Sequence, residues 1–362
     1  MKWFYLSILL TISISVSAQH EEADPTIYSP NRIVEVGLLG KATENLNKEV
    51  RAGDRLELRH IQKDQAGIFT VSLWANKQEV VTTLKRLERI EFEPADLYEF
   101  WKVQALRSGS YEQLARNGLQ MNTRQGLAEE AFEYLQLLDN NAIRYEDEYL
   151  ENYLNRLAYQ IMPDDLDDGR PGRIRVKVVK DYIPNASMFP NGMMFITTGL
   201  LSILDSETEL IAVMAHEIAH FAMDHAMLNI NAAIKRQRSA EFWSGLATVV
   251  AAGAEAYMSA KNGRRFTGEL TSGTSALASM IALQINVRMG LKYSREQELR
   301  ADAGAVAVLN MIDVNPMALA SALQKIKDHD IRLGLYRTLD STGTHPHIDT
   351  RINGIAGSKY FP

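Results

Sequence analysis

Residues 215–220 read Ala215-His216-Glu217-Ile218-Ala219-His220, and the His-Glu-x-x-His spacing within them sets what the rest of the chain has to supply. At about 100° per helical residue, His216 and His220 lie about 40° apart on one face, with Glu217 beside them. Two neutral imidazoles one turn apart can grip a zinc ion, and a neighbouring carboxylate can take a proton from water there. With 8 His in 362 residues, chance matches to this pattern are on the order of 0.01. The plain alternative is a helix that buries two hydrogen-bonded histidines and no metal.

A zinc site needs a third protein ligand, so the search moves outward. His225 follows His220 by five residues with Met223 where a turn-forming Gly would be required, which excludes the spacing H-E-x-x-H-x-x-G-x-x-H. On a continuous helix His225 would sit about 140° from His220 and could not share its metal; a packing or hydrogen-bonding role behind the site is expected. Glu298 is the better candidate. It lies with Asp302 in Ser294-Arg295-Glu296-Gln297-Glu298-Leu299-Arg300-Ala301-Asp302. Glu298 and Asp302 are one turn apart, so one can bind the metal while the other fixes an imidazole tautomer.

The surrounding patterns predict an α+β protein. Between about Asn31 and Ala75, Leu56 and Leu58 alternate with Glu57 and Arg59, and Phe69, Val71 and Leu73 with Thr70 and Ser72; period two predicts strands, punctuated at Gly53-Asp54 and Ala66-Gly67. From Pro94 the pattern turns helical, with caps at Ser110 and Asn122 and an amphipathic segment over 146–161. Strands are expected at 174–178 and 193–197, the second after the turn Pro190-Asn191-Gly192. A capping box, Ser206 with Glu209, opens a helix expected to run unbroken to at least Arg238. Ser294 with Gln297 opens another, and Asn315-Pro316 one more. Residues 242–291, rich in Ala and Gly around the polar connector 261–274, are expected to form packed helices or a lid rather than membrane spans, because Glu255, Gln284, Asn286 and Arg288 interrupt them.

Composition narrows the function classes. The 39 basic and 45 acidic side chains leave a net charge of −6 with no basic block, which argues against nucleic acid or an anionic membrane surface as partner. The absence of cysteine excludes disulfides, thiol nucleophiles and thiolate zinc sites. Residues 1–18 read as an export signal: Lys2, an apolar run from Phe4 to Val16, then Val16-Ser17-Ala18 before a cut. The expected division is 1–18 signal peptide, 19–92 a small β-rich module, 93–145 a helical connection and 146–362 the domain that carries the chemistry. Export places the mature chain in the periplasm, with secretion as the alternative, and without a stable membrane span after cleavage.

The chain resembles the zinc peptidases that include HtpX, BepA and the CAAX prenyl protease, a branch of the gluzincins. His216-Glu217-Ile218-Ala219-His220 stands as their helix motif, and Ser294-Arg295 with Glu298, Ala301 and Asp302 fits S-R-x-x-E-x-x-A-D. Asn185-Ala186, Pro190-Asn191-Gly192 and Gly199-Leu200-Leu201 are similar to the segment preceding the catalytic helix, with Asn191 where Gly is usual. Thr344-His345-Pro346 with Arg351-Ile352 is similar to the C-terminal H-P-x-x-x-x-R element. The resemblance spans about Glu146 to the end and leaves out the β-rich beginning.

The resemblance implies a mainly helical peptidase domain with a small sheet and one zinc per chain, held by His216, His220 and Glu298, with Glu217 as general base and Asp302 behind the ligands. It implies that Met193, Met194, Phe195, Ile196 and Thr197 pair as a strand with an extended substrate, a backbone-reading mode suited to unfolded or misassembled polypeptides of the cell envelope. His345 and Arg351 are expected to approach the zinc opposite the catalytic helix, His345 either donating to the oxyanion or capping the metal at rest. A rival reading is an envelope assembly factor or chaperone that uses the groove for binding and seldom cuts.

Overall fold

The computed structural model describes residues 33–63, 68–108, 131–132, 135–136, 138–140, 142–163, 173–236, 293–334 and 348–357. The export signal, the caps at Ser110 and Asn122, the 242–291 region with its connector, and His345 lie outside the described residues.

The alternating stretch near the start forms an antiparallel sheet of β1 (Ile33–Ala42), β2 (Arg55–Lys63), β3 (Phe69–Ala75), β4 (Gln78–Thr83) and β5 (Ile90–Phe92), in the order β4-β3-β2-β1-β5. Period two does here what it predicts: Leu56, Leu58, Val71 and Leu73 are buried, so one face of the sheet makes a core. β4 and β5 extend the sheet beyond the strands expected from sequence. β3 and β4 meet through the two-residue turn Asn76-Lys77, both left-handed (φ 53° and 67°), which matches the twist of the paired strands.

The helix α1 (Leu97–Ser108) ties this sheet to the rest of the chain. Its Val103 and Ala105 enter the sheet core, whereas Phe100 and Trp101 enter the larger core that surrounds the candidate site. Trp101 Nε1 donates to the Ile161 carbonyl at 2.8 Å, and the buried Lys102 Nζ donates to the Val36 carbonyl at 2.9 Å. Fully burying an aromatic of this size contributes at most roughly 4–6 kcal/mol, so the joint is substantial.

The helix α2 (Glu148–Ile161), capped by Asp147, packs with a second sheet of β6 (Arg175–Val179), β7 (Ala186–Met188) and β8 (Met193–Thr197). β8 lies in the middle, parallel to β6 and antiparallel to β7. The Thr197 hydroxyl accepts from Leu200 N and starts α3 (Thr198–Ile203). Gly199 admits no side chain, since a Cβ there would lie 2.3 Å from the Tyr182 carbonyl oxygen.

The helix α4 (Glu207–Ala222) starts at Ser206, whose hydroxyl accepts from Glu209 N. The Glu209 carboxylate does not close a reciprocal box with the cap. It accepts from Asp205 N, Ser321 Oγ and Lys325 Nζ, which pins the start of α4 to α7 (Met317–Arg332). The unbroken helix expected from Ser206 to Arg238 is also corrected: α4 ends at Ala222, Asp224 is left-handed (φ 58°), and α5 (His225–Arg236) begins at the next residue. Asp is among the few side chains that tolerate this conformation, so the chain breaks without Gly or Pro.

The expected reciprocal box of Ser294 and Gln297 is present and opens α6 (Arg295–Met311). α6 packs along α4 through Ala301, Gly304 and Ala305, where a Cβ on Gly304 would meet Met223 Cε at 2.8 Å and Ala219 Cβ at 3.3 Å. Close approach through small residues brings Glu298 to the histidines. α7 and α8 (Ile348–Ala356) complete the core. Among the described residues no helix is long and apolar enough to cross a membrane.

Candidate metal centre

α4 presents His216, Glu217 and His220 inside the core, each at most 3% exposed. The Nε2 atoms of His216 and His220 lie 3.1 Å apart. Glu298 of α6 brings Oε2 to 3.6 Å from His216 Nε2 and Oε1 to 3.5 Å from His220 Nε2. Among the described residues this is the group of three side chains able to hold a metal ion.

Two observations test whether zinc fits. Tetrahedral bonds of about 2.0–2.2 Å require donor–donor edges of about 3.3–3.6 Å. The imidazole pair is 3.1 Å apart, each Nε2 is 3.5–3.6 Å from one of the two Glu298 oxygens, and one donor atom from each residue lies within 4.8 Å of the others. The neighbourhood also carries buried carboxyl groups, Glu217, Glu298, Asp302 and, behind Tyr293, Asp224, against one guanidinium, Arg351, an excess of acidic groups that a divalent cation offsets.

The tautomer of His216 follows from its neighbour. Its Nδ1 donates to Asp302 Oδ1 at 2.9 Å, which leaves Nε2 as the lone-pair side facing Glu298. Asp302 is itself gripped by Arg351, Nε to Oδ2 at 2.9 Å and Nη2 to Oδ1 at 2.7 Å, and Arg351 Nη1 reaches Glu298 Oε2 at 2.9 Å. Burial pushes the Asp302 carboxyl up, but Arg351 and the His216 hydrogen bond outweigh it and hold the group well below the ordinary carboxylate range. Burial likewise works against the Arg351 cation, and Asp302 and Glu298 more than restore it.

His220 is held differently. Tyr293 stacks on its ring at 3.7 Å between centroids and 16° between planes. Burial, reinforced by Glu217 and Glu298, pushes the Tyr293 hydroxyl well above its usual value, so it stays neutral. On the far side His225 Nδ1 lies 2.8 Å from His220 Nδ1. Because the helix breaks at Asp224, His225 is not on the same helix as His220. It stays out of the metal-capable group, as expected, and sits behind the ligand. Burial, with a smaller push from Arg300, drives the His225 pKa down to about 3.

The structure thus brings His216, Glu217, His220, Glu298, Asp302 and Arg351 together. Arg351 contacts Asp302 and Glu298, and its Nη2 also lies 3.2 Å from the His216 ring nitrogens, so it helps to orient the cluster. The expectation for Met193, Met194, Phe195, Ile196 and Thr197 is corrected: β8 is the central strand, hydrogen-bonded to β6 on one side and β7 on the other, and has no free edge for a substrate. Sequence reading did not single out Tyr293. An aromatic residue beside a capping serine carries no periodic signal, and only its position one residue before the cap of the Glu298 helix could have suggested it.

A helix with two histidines one turn apart, meeting a glutamate from a following helix, defines the gluzincin class of metal centre. The chain belongs to peptidase family M48, whose sequence pattern matches residues 146–359; the metal this family uses is zinc. It is 27% identical over 198 residues to the beta-barrel assembly-enhancing protease of Escherichia coli (strain K12), a match covering 54% of this chain and 36% of that protein. It is 31% identical over 157 residues to a protease HtpX homolog of Dictyoglomus turgidum, covering 42% of this chain and 47% of the relative. It is 25% identical over 178 residues to the mitochondrial metalloendopeptidase OMA1 of Schizosaccharomyces pombe, covering 49% and 44%. These matches span less than half the length of each relative.

Proposed function

We propose that the chain is a zinc-dependent endopeptidase with one zinc per chain, held by His216, His220 and Glu298. The observation that carries this reading is the buried group of His216, His220 and Glu298, with the two Nε2 atoms 3.1 Å apart and each within 3.6 Å of a Glu298 carboxylate oxygen. When bound, zinc supplies a Lewis acid that acidifies water and polarises a peptide carbonyl. Glu217, on the same helical face and outside the ligand set, takes the water proton and returns it to the leaving amine. Asp302 and Arg351 orient His216 and Glu298. His345 is assigned to the oxyanion or to capping the metal at rest; the contact of Arg351, six residues further on, with Glu298 supports a path for this segment towards the centre.

The substrate strand is assigned to β7, which among the described residues has a strand neighbour on one side only and packs against α4. Strand addition reads backbone, which suits unfolded or misassembled polypeptides. A periplasmic setting and quality control of envelope proteins are the biological reading, supported by the likeness to the beta-barrel assembly-enhancing protease. We assign residues 19–92 to a separate module, 93–145 to a helical connection and 146–362 to the peptidase domain; the separate core of the first sheet supports this division.

The test is digestion of an unfolded polypeptide with and without a chelator, followed by zinc readdition. Fragments that vanish with the chelator and return with zinc are expected. Protection from aggregation without fragments, indifferent to the chelator, would replace the enzyme by a chaperone.

A further inference from the structure

Each histidine of the metal-capable pair has its own partner at Nδ1, and the two partners differ. Asp302, an acceptor only, fixes His216. His225, a second imidazole, faces His220 across 2.8 Å, nitrogen to nitrogen, and one proton must lie between them. If His220 Nε2 offers its lone pair to a metal, the neutral ring carries its proton on Nδ1, and His225 Nδ1 is then the acceptor. The backbone is arranged for this contact: Asp224 takes a left-handed conformation at the break between α4 and α5, and the first residue after it is His225, fully buried against the ring. Gln297 of α6 holds the start of α5, its Nε2 donating to Asn229 Oδ1 at 2.9 Å and to the His225 carbonyl at 3.4 Å.

We propose that His225 is a positioning residue that accepts the Nδ1 proton of His220 and thereby commits His220 Nε2 to the metal. The inference rests on the reading of His220 as a metal ligand and extends it to a neutral imidazole acting where a carboxylate serves His216. Hydrogen-bond partners that orient a metal-binding imidazole in this way are worth about 10–100-fold in metal affinity.

The experiment uses the full chain, zinc-loaded, with ¹⁵N-labelled histidine. Imidazole ¹⁵N shifts should show His220 protonated at Nδ1 and His225 unprotonated there; the reverse assignment overturns the proposal. Zinc dissociation constants from competition with a chromophoric chelator supply the second readout. His225→Phe, which keeps the ring and loses the acceptor, should weaken binding about 10–100-fold, while His225→Asn, whose Oδ1 can replace Nδ1, should stay within about threefold of wild type. Equal affinities for wild type and His225→Phe overturn the proposal even if cleavage falls. Zinc binding with the expected tautomers but without cleavage would sustain it and remove the peptidase reading; failure of the wild-type chain to bind zinc would overturn both.

Discussion

Arg351 and Asp302 form a two-pronged, fully buried ion pair that joins the last described helix to the helix carrying Glu298, with Nε–Oδ2 at 2.9 Å and Nη2–Oδ1 at 2.7 Å. Truncating the cation leaves two buried carboxylates without it, so Arg351→Met should cost about 3–5 kcal/mol in urea unfolding of the metal-free protein. Zinc affinity should fall with it, because Glu298 loses its anchor. A variant with wild-type stability and zinc affinity but slower cleavage would make Arg351 a transition-state donor instead.

Glu298→Ala should remove zinc as well as activity. Zinc content after dialysis is the measurement, and stoichiometric retention would mean that the third ligand has been misassigned.

Gly304→Val tests how Glu298 is delivered. A side chain there meets Ala219, which cannot give way, and Met223, which can. Overpacking should cost about 1–3 kcal/mol in a thermal or urea melt, with weakened zinc binding as α6 shifts from α4. Wild-type values for both would show that the close approach of the helices is not needed.

Asp330 gives the pH dependence. Burial lifts its carboxyl to about 6, so the folded chain prefers the protonated form. The associated stability is fully present below about 4, the ordinary carboxylate range, and is lost as pH rises through 6. Asp330→Asn should remove that slope and raise stability at pH 8 by at most about 3 kcal/mol, read from urea midpoints between pH 4 and 8. Parallel curves for the two proteins would contradict it.

The sequence was most informative where local periodicity carries the structure. The positions of His216, Glu217 and His220 on one face, the pair Glu298 and Asp302 one turn apart, and the box of Ser294 with Gln297 all follow from helix geometry, and the structure places them so. The break at Asp224 was not legible, because no Gly or Pro marks it and a left-handed aspartate is settled by the packing of α5. The neighbours of β8 were not legible either: strand order depends on pairing between distant segments, and the three-residue β7 is too short to show a period. Trp101 and Lys102, adjacent on α1 yet facing different partners, look like ordinary helix residues until both sides are in place.

The most direct test of the central claim is Glu217→Gln, assayed for zinc content and for cleavage of an unfolded polypeptide in the same preparation. Glu217 lies outside the metal-capable group, so zinc should remain stoichiometric while turnover falls by about 10²–10⁴, the usual contribution of a positioned base. Cleavage near the wild-type rate by the zinc-loaded variant would contradict the account.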